Sequence, residues 1–338
     1  MAHRTKGVTA QDVARLAGVS QATVSYVLSG RRNGALRVSD ETRQRVLAAV
    51  AELNYVRNDV ARSLRRQRTE RICLLVEQLG VPYNDVLARD VQPIAEAHGY
   101  SLIIAVGGEL QRERRVLEQL RRGLADGVII IPNQLRVDDL LPAIDAGLAV
   151  VVMADWNTDQ ALDIVASNEG AATYEAMSYL ISRGHRRIAF IGHTIDRTSR
   201  HPRFLSYLHA HADYAIPIDP HLLSTGARSR HEAYVAARTL LSQAERPTAI
   251  LTTADIAALS VIVAAQDLGL DIPDDLAVIG AGNIPEAELV RPRLTTIGPT
   301  EREFTLVAEL LFSRLMAPNP LPGRIHTTPW QLIRRESA

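Results

Sequence analysis

The 338-residue chain holds one cysteine, Cys73, and one lysine, Lys6. A single thiol excludes an intrachain disulfide framework and a thiolate zinc site, and Cys73, inside an apolar run, reads as a packing residue. No run approaches the ~18 uncharged apolar residues that a membrane-spanning helix needs. The opening MAHRTKGVTAQDVARL lacks the apolar stretch of a secretory signal. No glycine-rich phosphate-binding motif is present, since Gly107-Gly108 stands alone after its apolar run. No Ser/His/Asp set or carboxylate pair stands in a catalytic context, and His201, His209 and His211 lack the spacing of a metal site. These absences predict a cytoplasmic protein with no membrane segment, no cofactor, no metal and no enzymatic activity.

What is present is unevenly distributed. The formal net charge is zero, from 38 basic and 38 acidic side chains. Residues 1–70 nevertheless carry 13 basic and 6 acidic side chains, a net +7, and the remainder a net −7. Such asymmetry points to a nucleic-acid-binding end on a mildly acidic body. The basic end reads as three short helices. Thr9 caps the first, with Asp12 three residues on and Val13, Leu16 and Ala17 as the apolar stripe. Gly18 breaks it, Ser20 caps a second helix running to about Leu28, and Ser39 caps a third with Val46, Val50 and Leu53 at helical spacing. The tight glycine turn between the first two makes a helix-turn-helix pattern.

From Arg71 the rhythm changes. Apolar runs of strand length at 72–76, 101–106, 127–131, 149–153, 188–192, 248–253 and 276–281 alternate with amphipathic helical stretches. This predicts parallel sheets covered on both faces, and the number of units favours two doubly wound subdomains over one. Ligands in such sheets bind beyond the carboxyl ends of the strands, which selects 77–84, 107–109, 155–156, 193–203, 254–255 and 282–283.

The segment Thr9 to Gly30, TAQDVARLAGVSQATVSYVLSG, resembles the DNA-binding headpiece of the lactose-repressor (LacI/GalR) family of bacterial transcription regulators. RVSDETR (37–43), NDVARSL (58–64), GHRRIAFIG (184–192), PTAI (247–250), LTTI (294–297) and Arg335-Glu336-Ser337 continue the resemblance in order along nearly the whole chain. It implies an α-helical helix-turn-helix headpiece over 1–56, a hinge helix or linker over 57–70, and an α/β core over 71–338. That core would comprise two doubly wound parallel-sheet subdomains like those of periplasmic binding proteins, 71–167 plus 298–325 and 168–297 plus 326–338. By resemblance, Gln21, Ala22 and Tyr26 read bases; Thr9, Ser20, Thr23, Ser25, Arg31 and Arg32 meet phosphates; and Asn58, Ala61, Leu64 and Arg65 belong to a hinge that wedges Leu64 into the minor groove. Gln suits adenine and a small Ala suits a thymine methyl. Arg57 stands where the family usually has proline, so hinge order depends more on DNA here. The implied function is a homodimeric repressor at the nucleoid, binding a palindromic operator in double-stranded DNA under the control of a small effector.

The effector positions carried over are Tyr83, Asp155, Trp156, Asn168, Arg200, Asp255 and Asn283. Several neighbours depart from the family pattern: Trp156 replaces a common Arg, Ser167 an Asp, Ala254 an Asn, Gly282 an Asp and Val81 an Asn. Each buried unpaired sugar hydroxyl costs ~1–3 kcal/mol. Losing this many polar groups argues against a standard free-sugar site and for a flatter ligand stacked on Trp156 and Tyr83, or for no ligand. Three readings follow: a carbohydrate-induced repressor, a regulator with a non-sugar ligand or co-repressor or none, and a soluble solute-binding protein whose headpiece makes protein contacts.

Overall fold

A computed structural model describes residues 8–28, 38–55, 68–132, 134–192, 201–227 and 229–338. The chain forms two compact units that part between Arg68 and Thr69.

The first unit contains α1 (Ala10–Ala17), α2 (Gln21–Leu28) and α3 (Asp40–Glu52). Thr9 closes a reciprocal cap on α1: Asp12 N–H donates to its hydroxyl at 3.3 Å, and its own N–H donates to Asp12 Oδ2 at 3.0 Å. Gly18 ends α1 in the left-handed region at φ +63°, which glycine adopts without a Cβ penalty, and Val19 N–H turns back to the Ala14 carbonyl at 3.0 Å. Val13, Ala14, Ala17, Val24, Val27, Val46 and Ala49 form the core. Leu16 is not part of it and stands 46% exposed. At ~100° per residue it lies about 110° round α1 from the centre of the Val13–Ala14–Ala17 stripe, so Ala14 fills the place expected of Leu16.

The second unit runs β1 (Arg71–Val76), α4 (Pro82–Ala97), β2 (Ser101–Val106), α5 (Leu110–Arg121), β3 (Gly127–Ile130), α6 (Val137–Asp145), β4 (Ala149–Val152), β5 (Asp163–Ser167), α7 (Glu169–Ser182), β6 (Ile188–Gly192) and α8 (Pro202–Asp213). It continues with β7 (Leu223–Thr225), α9 (Arg230–Leu241), β8 (Ala249–Thr252), α10 (Asp255–Asp267), β9 (Ala277–Ala281), β10 (Thr295–Gly298), α11 (Thr305–Met316), β11 (Arg324–Thr328) and β12 (Gln331–Ile333). Among the described residues two six-stranded sheets result, ordered β11-β5-β4-β3-β1-β2 and β12-β10-β9-β8-β6-β7, with only the β10–β12 pair antiparallel. Strands β3, β6, β8 and β9 are buried along their whole length, as parallel strands covered on both faces must be. Cys73 on β1 is fully buried, and burial pushes its thiol up to about 12, which keeps it unreactive.

The chain crosses between the sheets at Asn168, at 299–304 and at Pro329–Trp330. The last crossing falls a few residues beyond the expected boundary after 325, because β11 pairs with β5 through Thr328. Helix α11 returns to the first sheet, where Val307, Leu311 and Phe312 pack with Ile129 and Val151. Arg314 of α11 and Arg324 of β11 grip the fully buried Asp163 through four hydrogen bonds of 2.7–2.9 Å. Burial alone would raise the pKa of this carboxyl; the two arginines outweigh it and hold it below the ordinary carboxylate value.

Candidate functional site

Two surfaces bear on function, one in each unit. On α2, Val24 and Val27 point into the core, which turns positions 21, 22, 25 and 26 to the other side of the helix. Gln21 and Ala22 are exposed, and Thr23, Ser25 and Tyr26 are half-buried. Ser20 Oγ accepts the Thr23 N–H at 3.1 Å and lies 2.9 Å from the Thr23 hydroxyl, so these two expected phosphate contacts also build the helix start. A side of a helix offering a carboxamide, a methyl, a hydroxyl and a phenol suits the donor and acceptor pattern of the major groove. Arg31 and Arg32 lie outside the described residues, as do Asn58, Ala61, Leu64 and Arg65.

The second surface is a cleft of about 1680 Å³ where the carboxyl ends of the strands of both sheets meet. Tyr83 enters it from the first turn of α4, set by Pro82 at the start of that helix. Its ring meets Phe304 edge-on at 4.9 Å and lies 6.5 Å from Trp330. Burial raises the phenol pKa above its usual value, so Tyr83 stays neutral at physiological pH. Asp155 and Trp156 follow β4 into the cleft, Asp155 exposed and Trp156 resting partly on the core beneath.

Three other expected positions are committed elsewhere. Asn168 sits at the first crossing, where its Oδ1 accepts the Trp330 N–H and ties two crossings together. Asp255 is buried under β9 and β10, its carboxylate accepting the Ile284 N–H at 2.8 Å and the Thr296 hydroxyl at 2.5 Å. Burial pushes its pKa up to about 6, against those two hydrogen bonds and the charges of Arg335 and Arg203. Asn283 is buried at φ +49°, donating to the Pro299 carbonyl at 2.8 Å and accepting from Arg335 at 2.7 Å. Neither Asp255 nor Asn283 lines the cleft. The second sheet presents Thr253, Ala254, Ala281 and Gly282 there instead. Asp255 itself requires a glycine at 280, where a Cβ would lie 2.2 Å from its Oδ1, whereas Gly282 is required by its backbone at φ +122°. Arg200 lies outside the described residues.

Among the described residues, the second half brings the ion pair of Arg203 and Glu169 to the cleft; Arg203 closes the selected segment 193–203 but was not among the effector positions carried over. Arg203 is the second residue of α8, behind a His201 cap and Pro202, and its guanidinium is fixed on three sides. It pairs with Glu169 at 2.6 Å, the two side chains being 16% and 13% exposed. It also donates to the Thr253 carbonyl and stacks 5.0 Å from the Trp330 ring centre. The His-Pro pair, a helix start after a strand, is the sequence signal that marks Arg203 as facing the strand ends.

Residues 9–58 match the family described as bacterial regulatory proteins, lacI family, and residues 177–338 match the periplasmic binding protein-like domain. The ribose operon repressor of Haemophilus influenzae is 34% identical over 314 residues, covering 92% of this chain and 93% of that protein. The chain belongs to the lacI family. It is a DNA-binding transcription regulator, and not an enzyme. The HTH-type transcriptional repressor PurR of Edwardsiella ictaluri is 33% identical over 334 residues, or 97% of this lacI-family chain and 96% of that relative. The lac repressor dimer, solved bound to operator and the anti-inducer ONPF, superposes with a TM-score of 0.77 over 98% of this chain and 99% of its own, at 24% identity, and so shares the fold.

Proposed function

We propose that this lacI-family regulator is a homodimeric repressor in the cytoplasm, associated with the nucleoid, that reads a palindromic operator and is switched by a small effector in the cleft. Residues 1–56 serve as headpiece, 57–70 as hinge and 71–338 as the effector-binding and dimerisation core. Gln21, Ala22 and Tyr26 read bases, while Thr9, Ser20, Thr23 and Ser25, with Arg31 and Arg32, meet phosphates. One headpiece spans only a few base pairs, so two-fold pairing is what gives a useful site length. The observation that carries the DNA-reading assignment is the exposed Gln21–Ala22 surface of α2 beside an apolar Val24–Val27 face.

Arg203, Tyr83, Asp155 and Trp156 hold the effector, with Asp255 and Asn283 bracing the wall behind it. Wall residues Ala254, Ala281 and Gly282 offer no side-chain heteroatom to a polyol, whereas Tyr83, Trp156, Phe304 and Trp330 all line the cleft. This suits an effector with a flat or apolar face, while Gln78, Asn84, Gln134 and Ser206, which also line the cleft, supply partners for its polar groups.

Selection of fragmented genomic DNA by the purified protein, followed by sequencing, tests the reading. A palindrome is expected, with affinity falling steeply in salt as phosphate contacts require. No enrichment at low salt, with and without cell extract, would end the operator assignment. Tyr26→Ala is expected to relax preference at one operator position by ~1–3 kcal/mol, and an unchanged base preference removes Tyr26 from the reading set.

A further inference from the structure

Thr69 opens the second unit, and a single carboxylate holds it and the residue that follows. Asp126 Oδ1 accepts the Thr69 N–H at 2.7 Å and the Thr69 hydroxyl at 2.8 Å; Oδ2 accepts the Glu70 N–H at 2.9 Å. The bonds continue into the sheet. Asp126 N–H donates to the Arg71 carbonyl at 2.9 Å, Ser101 N–H donates to the Glu70 carbonyl at 2.9 Å, and Arg71 N–H donates to the Thr69 hydroxyl at 3.3 Å. Glu70 is left-handed at φ +55°. A residue with a long side chain keeps that conformation only where its surroundings over-determine it, and strain of this kind gathers at functional positions.

The location gives the knot its meaning. Asp126 immediately precedes β3, and β3 pairs with β1 in the register Ile72 to Gly127. At their other ends the same two strands deliver Glu77 and Ile131 to the cleft. Both strands lie inside the sheet, nearly fully buried, and close-packed interiors of this sort transmit a displacement and do not absorb it. Residues 56–67 join the second unit one residue before Thr69.

We infer that Asp126 is the positioning residue that makes the hinge follow the effector cleft. By fixing Thr69 and Glu70 to the start of β3, it removes the slack through which a shift of the first sheet would otherwise be lost before reaching residues 56–67. This rests on the effector-controlled, DNA-binding reading given above. A purely structural cap would stabilise the sheet and leave operator discrimination alone; a coupling clamp sets that discrimination.

The test uses the full-length protein with Asp126→Ala and Asp126→Asn. The selected operator and a scrambled fragment of equal length are the DNA probes, and trypsin, which cuts after Arg68, is the probe of the clamp. In Asp126→Ala the Arg68–Thr69 bond is expected to be cut about tenfold faster while the body keeps a cooperative melt. Operator affinity is expected to fall about tenfold with scrambled-DNA affinity unchanged. Asp126→Asn, which keeps one acceptor oxygen, should fall between. Wild-type cutting at Arg68 overturns the inference, as does a wild-type ratio of operator to scrambled affinity. A parallel loss on both DNA probes also overturns it. If Asp126→Ala does not fold, Thr69→Val removes only the hydroxyl's bonds and is read on the same scale with smaller effects. A wild-type protein that selects no operator fails the functional reading, and tryptic cutting, which needs no DNA, tells that failure apart from failure of the clamp.

Discussion

The two walls of the cleft use polar residues in opposite ways. On the first-sheet side Asp155 and Trp156 stand at the end of β4 with Asp155 exposed to the cleft. On the second-sheet side Asp255 and Asn283 occupy equivalent strand-end positions, yet both are buried and spend their hydrogen bonds on Thr296, Ile284, Pro299 and Arg335. A polar residue just past a strand therefore marks either a ligand contact or a brace, and burial decides between them. Arg203 combines the two, being locked by Glu169 while still lining the cleft.

Three substitutions test that contrast. Arg203→Ala should have the largest effect, because it leaves Glu169 largely buried without its cation. The expected loss is about 3 kcal/mol of stability, seen as a melting temperature several degrees lower. An unchanged melt would mean that Arg203 is a free ligand-binding group and not a brace. Asp255→Asn comes second and is read through pH. With its pKa raised in the fold from 3.8 to about 6, Asp255 binds its proton more tightly folded than unfolded. Its contribution is therefore fully present below pH 3.8 and is lost as pH rises through about 6. Wild type should thus lose about 2 kcal/mol relative to Asp255→Asn between pH 4 and pH 7 in denaturant melts. Parallel pH profiles would place the carboxylate in a more solvated setting than the structure gives it. Asp155→Ala should have the smallest effect on stability, within about 0.5 kcal/mol. A larger loss would make Asp155 a brace too and erase the difference between the walls.

Much of this architecture was legible in the residues. The seven apolar runs correspond to β1, β2, β3, β4, β6, β8 and β9, each within a residue or two; all but the edge strand β2, which is half-exposed, are apolar because both their faces are covered. Strand β5 escaped that pattern. Its sequence DIVAS opens with a charge, and the arginines that make Asp163 tolerable lie more than 150 residues away. Strand β10, TTIG, hides two threonines whose hydroxyls serve Asp255 and Arg335. In the cleft the same limit applied. The strand-end rule found five of its six segments on the cleft, 107–109 contributing nothing and the lining stretches at 131–136 and 327–330 being missed, and Arg203 stood at the edge of one of the five. Local sequence cannot show that Thr296 and Ile284 have already claimed the Asp255 carboxylate.

The Asp163 grip also bears on how the chain is made. The first sheet needs β5, α11 and β11, and the cations for Asp163 arrive only with Arg314 and Arg324. During synthesis the first five strands of that sheet therefore emerge with an uncompensated acid at the seat of β5 and an open edge where β11 will lie. A buried charge without its partner is strongly unfavourable, and an open strand edge invites pairing with other chains. Nascent chains stalled before residue 324 should accordingly depend on chaperones, and the first subdomain should gain protease resistance late, together with the second.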